Sequence, residues 1–236
     1  MDEETPGEDP RPLPEGCWVR SNQGLEFNRV VFFTDAVFAI ALTLLIFSVT
    51  VPILRGNTSD PQTMLDALSD KEPEFVGFFV AFILIARYWM AHHVFLSHLR
   101  AVDRRFVGIN LVYLAFVAFL PFPTALLVKY EENPLSVLTF ALCLAVISGL
   151  EIIQFHRAHR LDLFTEAVPH EVYRYWMVGS VVPIVVFAVA SPLAWVSCNL
   201  CLASWLVIMP IEKYLERRAP EDTSRYLARY RPKRNA

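Results

Sequence analysis

Residues 28–51 read NRVVFFTDAVFAIALTLLIFSVTV, with an arginine and an aspartate, Arg29 and Asp35, at the head of an apolar run that meets no further charge until Arg55. A hydrocarbon core of about 30 Å needs about 20 mostly apolar helical residues to cross it. This run is long enough. Charge so close to lipid is expensive, so it turns toward protein or water and takes a partner. Arg29 and Asp35 are almost two turns apart, whereas helical neighbours sit three or four residues apart, so spacing alone does not bring them into contact.

Outward from this segment, five more windows of similar character follow at 75–99, 106–128, 135–155, 172–190 and 193–211. With 30–53 they make six. The third contains no charge, and the fifth is the shortest in uncharged residues and is interrupted by Pro183. Pro192 marks the expected turn into the sixth. Of the 236 residues 55% are hydrophobic and only 19% charged, and the charged ones cluster between the apolar runs instead of alternating with them. That pattern predicts an all-α polytopic membrane protein with six transmembrane helices.

The flanks divide the chain. Residues 1–27 carry Asp2, Glu3, Glu4, Glu8, Asp9 and several prolines, with no basic n-region and apolar h-region of a signal peptide, and are expected to form a disordered acidic tail. Residues 28–214 form the six-helix domain and 215–236 a basic tail. Positively charged loops near a membrane stay cytoplasmic. One side holds Arg11, Arg20, Arg29, Arg100, Arg104, Arg105, Arg157, Arg160, Arg174 and Lys213 together with the seven Lys and Arg of the C-terminal tail, and the other holds only Arg55, Lys71 and Lys129. Both termini are therefore expected in the cytoplasm of a cell-membrane protein, which requires an even number of crossings.

A net charge of −3 gives no basis for a nucleic-acid partner. Cys198 and Cys201 form a C-x-x-C inside an apolar helix, with no second pair nearby, and read as packing residues. The chain has no phosphate loop, dinucleotide fingerprint, H-E-x-x-H or G-x-S-x-G. Neither an enzyme nor a resident cofactor or metal is expected.

The string Arg29, Phe33, Thr34, Asp35, Ala36, Val37, Phe38, Ala39, Ile40, Ala41, Leu42, Thr43, Leu44, Leu45 resembles the hallmark of the transmembrane protein 175 family of organellar and prokaryotic potassium channels, R-x-x-x-F-S-D followed by a small residue and V-F-A-I-A-x-T-L-L. Thr34 replaces the serine and keeps its hydroxyl. Trp89, His92 and His93, then Asn110 and Pro121-Phe122-Pro123-Thr124-Ala125, continue the resemblance in order through the first half of the chain. There is no second R-x-x-x-F-[ST]-D, as in single-repeat prokaryotic members. The resemblance implies a homotetramer around a pore lined by the first helix, embedded in the lipid bilayer, with potassium passing transiently and no other ion held.

Ile40, Thr43, Leu44 and Phe47 share one helical stripe. In the family the positions of Ile40 and Leu44 point bulky aliphatics into the pore, and that of Thr43 carries a hydroxyl tied to ion preference. A ring of Ile40 side chains would be a dewetting gate. With no T-V-G-Y-G filter in the chain, potassium over sodium selectivity is expected to be modest. Phe47 is bulkier than the pattern expects. The same stripe is also what packing against lipid or a neighbour requires.

The resemblance further implies that Arg29 and Asp35 anchor the first helix through Trp89, His92 and Asn110, with Phe33 and Thr34 as motif residues. His92 and His93 can titrate or sit neutral between helices. Arg87 can snorkel or pair with Glu151. Intramembrane histidines and acids also fit a second reading, a proton-conducting channel or proton-coupled transporter.

Overall fold

The computed structural model describes residues 11–20, 25–54, 58–166 and 168–219. Among them six helical spans are long and apolar enough to cross a membrane: Leu25–Ser48, Glu72–Ser97, Arg104–Lys129, Pro134–Arg160, His170–Trp195 and Cys198–Arg217. The chain is mostly helical, and its only strands among these residues are β1 (Trp18–Val19) and β2 (Ala101–Val102), paired antiparallel with Trp18 opposite Val102.

Helix α1 (Leu25–Leu44) contains no Gly or Pro and runs on into a 3-10 turn at Leu45–Ser48. Helix α2 (Pro61–Ser69) is a short surface helix, capped by the Asp60 carboxylate accepting from the Thr63 N–H at 3.1 Å. Helix α3 (Glu72–Ser97) is the second span. Gly77 lies where its backbone approaches the third span, since a Cβ there would collide with Val128.

The third span, uncharged in the sequence, is not one helix. It is α4 (Arg104–Phe119) followed by α5 (Pro121–Lys129). Pro121 has no N–H to give to the preceding turn, and the Leu120 N–H tightens to the Val117 carbonyl at 3.2 Å instead. Helix α6 (Pro134–Arg160) is capped by Asn133, begins with proline and ends with Arg157, His159 and Arg160, cations suited to a helix C-terminus.

Helix α7 (His170–Ala190) accommodates Pro183, and a 3-10 turn at Ser191–Trp195 prolongs this fifth span beyond the expected turn at Pro192. Proline at the start of a helical turn needs no donor, so Pro192 starts this turn rather than breaking the span. The sixth span starts later than expected. The Ser197 hydroxyl caps α8 (Cys198–Ser204), and a 3-10 turn leads into α9 (Ile208–Arg217). Cys198 and Cys201 donate their thiols to the Ala194 and Ala190 carbonyls and pin α8 to the end of the fifth span.

Helix α6 lies at the centre, packed against α4 and α7, and α1 packs on α3 and α4. Their shared core holds Phe38, Ala41, Leu45, Ile85, Tyr113, Val117, Leu144 and Ile147. Large apolar side chains elsewhere, such as Phe79, Ile83, Leu142, Val185 and Val189, point outward. An outward apolar surface on every span is what a lipid solvent requires.

The expected disordered tail through residue 27 divides. Residues 1–10 and 21–24 lie outside the described residues, as does the basic tail beyond residue 219. Residues 11–20 are instead held down by arginines. Arg11 pairs with Asp162 at 2.9 Å and donates to the Phe164 and Thr165 carbonyls. Arg20 donates to the carbonyls of Leu96 and Ser97 at the end of α3, and Arg100 to those of Arg11 and Asp162. Helix-end carbonyls lack intrahelical partners, and guanidinium forks supply several donors at once. A low-hydropathy segment is thereby ordered by contacts that sequence composition does not reveal.

Asp103 sits at the same end. Its carboxylate caps α4 through the Arg105 and Phe106 N–H groups and takes both a 2.8 Å and a 2.5 Å bond from Arg157 of α6. The Arg157 guanidinium, followed by those backbone donors, holds the Asp103 carboxyl below its ordinary value. A carboxyl depressed on folding gives stability that is complete above the unfolded value of about 4 and is lost as pH falls through the lower folded value. Asp103→Asn should therefore lower the melting temperature by about 4 °C at neutral pH, for a loss of about 1–2 kcal/mol. Thermal scans in detergent below about pH 4 should close the gap, because only the wild type then loses the interaction.

Candidate functional site

Helix α1 presents two different faces. Phe27, Thr34, Phe38, Ala41 and Leu45 are buried against α3 and α4. Arg29, Phe33, Ala36, Ile40, Thr43, Leu44 and Phe47 are exposed, with Ile40 at 56% and Phe47 at 78%. Leu25, Phe32, Ala39 and Ile46 are exposed beside them, so the open face is broad, and Ile40, Thr43, Leu44 and Phe47 form a stripe within it. The Thr43 hydroxyl donates to the Ile40 carbonyl at 2.8 Å and keeps its oxygen available as an acceptor.

The buried face is fixed by two polar connections. In the first, the Thr34 hydroxyl donates to the Val30 carbonyl at 2.8 Å and accepts from Asn110 Nδ2 at 2.9 Å. Asn110 Oδ1 then lies 3.0 Å from His92 Nε2. Since an amide oxygen only accepts, His92 carries its proton on Nε2. Thr34, His92 and Asn110 are each about 1% exposed. His92 also stacks on Tyr113, with ring centroids 4.6 Å apart, and Phe38 of α1 packs on both rings.

In the second, Trp89 Nε1 donates to Asp35 at 2.9 Å, and His93 Nδ1 lies 3.7 Å from the same carboxylate. The Trp89 and His93 rings lie 5.4 Å apart, tilted against each other. Two adjacent histidines, about 100° apart on α3, thus serve different partners: His92 reaches α4 and His93 reaches Asp35 of α1.

The far end of α1 is stapled separately. Glu74 accepts from the Thr50 N–H at 2.7 Å and from its hydroxyl, while Lys71 Nζ bonds both Thr50 and Glu74 at 2.6 Å. The 3-10 turn that follows α1 is therefore tied to the start of α3.

Of the expected site residues, Thr34, Asp35, Trp89, His92 and Asn110 come together and His93 joins them. Arg29 and Phe33 do not. Both lie on the open stripe, and Arg29 makes no hydrogen bond or ion pair with the described residues. Arg87 pairs with Glu212 of α9 instead of forming a contact with Glu151, although Glu151 is within its electrostatic reach. Glu212 lies on the last helix, so no local pattern pointed to it. Tyr113, absent from the expectations, links His92 to Glu151 by a 3.4 Å bond. An aromatic residue in an uncharged window gives no sequence signal of such a role. Among the described residues no three His, Cys, Asp or Glu side chains are grouped as metal ligands.

A family model described as "Endosomal/lysosomal potassium channel TMEM175" matches residues 29–121. The chain is 31% identical over 184 residues to a potassium channel of Streptomyces collinus, covering 76% of this chain and 87% of that one. It is 30% identical over 196 residues to a potassium channel of Chamaesiphon minutus, covering 78% and 93%. The human protein named "Endosomal/lysosomal proton channel TMEM175" is 34% identical over 108 residues, which are 42% of this chain and 21% of that protein. Among solved structures, a lysosomal potassium-selective channel TMEM175 homolog from Chamaesiphon minutus superposes with a TM-score of 0.67 at 25% identity, over 82% of this chain and 98% of that one.

Proposed function

Because the chain belongs to the TMEM175 family, we propose that it is a potassium-permeable channel in which four copies surround a pore lined by α1. The observation that carries this reading is the open stripe of α1. A helix tied down by one buried and one half-buried polar connection leaves Ala36, Ile40, Thr43, Leu44 and Phe47 without cover in a single chain. Closed rotational symmetry gives such a face an identical partner surface around an axis. Potassium conduction in the two bacterial relatives' names supports the choice of ion.

Four Ile40 side chains form the narrow apolar ring, which excludes water until it widens, and Leu44 adds a second ring one turn on. Thr43 offers hydroxyl oxygens between them. With no carbonyl filter, discrimination rests on constriction size and dehydration, so preference for potassium over sodium is modest. Phe47 stands at the far mouth. Arg29 and Phe33 lie at the opposite end of the same face and meet the neighbouring copy. The Lys and Arg distribution supports a cell-membrane topology with both termini in the cytoplasm.

Purified protein in liposomes with a potassium gradient should carry a current reversing near the potassium equilibrium potential. A chain that eludes tetramerisation and passes no ion would overturn the proposal. The second reading, proton conduction through the same pore, draws on the names of the animal relatives and on the histidines beside α1. It predicts a reversal potential that follows the pH gradient and ignores potassium.

A further inference from the structure

Glu151 lies in α6, one helical turn from the fully buried Gln154. Neither the Nε2 nor the Oε1 of Gln154 has a partner among the described residues, and His92 Nδ1 likewise lacks one. A buried amide left unpaired costs about 1–3 kcal/mol per group, a cost that buried water removes. Gln154 and His92 lie toward the end of the subunit nearer β1 and β2, where their open atoms can take water.

A turn further in, the buried face of α6 becomes largely apolar. Ser148 bonds the Tyr88 hydroxyl at 2.8 Å, and beyond it α6 buries Ile147, Leu144, Phe140 and Val137. On this reading a proton reaches Glu151 from the β1–β2 side and meets a largely apolar stretch of α6 beyond Ser148.

We propose that Glu151 is a proton-binding site that sets the position of α1 through Tyr113. The proposal rests on α1 lining the pore. Around Glu151, α4 contributes Tyr113, and α3 contributes Tyr88 and Arg87. Helix α9 contributes Glu212, which pairs with that arginine, and α7 contributes Tyr175, which faces Glu212 and Glu216.

Ionised, Glu151 accepts the Tyr113 hydroxyl and attracts Arg87. Tyr113 is thereby held against His92, which anchors Thr34 through Asn110, and against Phe38 of α1 itself. A bound proton, taken from water, cancels the carboxylate charge. The bond from Tyr113 weakens, since bonds to charged acceptors are about twice as strong as neutral ones. Arg87 is left to Glu212 alone. Tyr113 is then free to shift, and α1 with it.

Potassium flux in proteoliposomes should rise at least about fivefold when the β1–β2 side is acidified from about pH 8 to about pH 5.5, the low end of coupling between two sites. Glu151→Gln, a permanently uncharged mimic, should show the acid-level flux at both pH values. Tyr113→Phe, which keeps the ring and loses the bond to Glu151, should blunt the response in the same direction. Infrared difference spectra of the wild type over the same pH range should show a protonated-carboxyl band that Glu151→Gln lacks, whether or not ions flow. A wild type that passes no potassium yet shows this band defeats the channel reading and leaves the proton site standing. Flux with an unchanged pH response in Glu151→Gln, or a titration lacking the band, overturns the proton site alone.

Discussion

Replacing Ile40 with asparagine should raise basal potassium flux in proteoliposomes by about tenfold or more, roughly 1.4 kcal/mol off the barrier per decade. Ile40 is 56% exposed on the open stripe of α1, and the opposite face of the helix is packed. A side chain that touches little within the subunit can be changed without disturbing its core. In the proposed tetramer, fourfold repetition multiplies the effect, since one substitution places four amides in the ring. An apolar constriction resists ions chiefly because it resists water, and amides of similar size keep water in the narrow stretch. The control is Val189→Asn, at another exposed apolar position, far from α1 on the α7 surface. Flux equal to wild type in Ile40→Asn, or equally raised in both variants, would remove the ring from the ion path.

The second large effect falls on folding. Asn110→Ala should destabilise the protein by about 3–5 kcal/mol and sharply reduce the yield of monodisperse protein in detergent. Asn110 joins three elements. Its amide nitrogen donates to Thr34 of α1 and its oxygen faces His92 of α3, while its own backbone belongs to α4. Alanine leaves the His92 Nε2 proton without an acceptor and the Thr34 hydroxyl one donor short, all in a site about 1% exposed. Breaking a buried network by removing one member costs more than the bond it made. Asn110→Asp keeps the acceptor for His92 and loses the donor to Thr34, so it should fall between wild type and alanine. Equal melting temperatures for all three proteins would show that the network adds nothing to the packing of α1.

The outline of the fold was legible because lipid imposes length and polarity on each crossing, and both are one-dimensional properties. Six apolar windows appear as six spans. Their ends and breaks were less accessible. Pro192 looked like a turn but begins a 3-10 continuation, and the uncharged third window conceals the break between α4 and α5. Within the N-terminal segment, residues 11–20 depart from the reading by composition, since Arg11, Arg20 and Arg100 reach carbonyls far away in sequence.

Within the candidate site the motif announced its residues and not their partners. Thr34, Asp35, Trp89, His92 and Asn110 were nameable from the string of residues alone. That Thr34 takes Asn110 while Asp35 takes Trp89, and that Arg29 stands on the open face, depended on how α1, α3 and α4 are rotated about their axes. Tyr113, Gln154 and Glu212 were illegible for the same reason, and Glu151 was nameable only as a partner for Arg87, not for Tyr113.

The sequence alone determined that the chain is helical, crosses the bilayer and carries its functional signature on the first span, because hydropathy and helical period act along the chain. Only the tertiary structure decided which face of α1 is locked and which is left open. That choice depends on packing and hydrogen bonds between helices, and no local property of α1 records them.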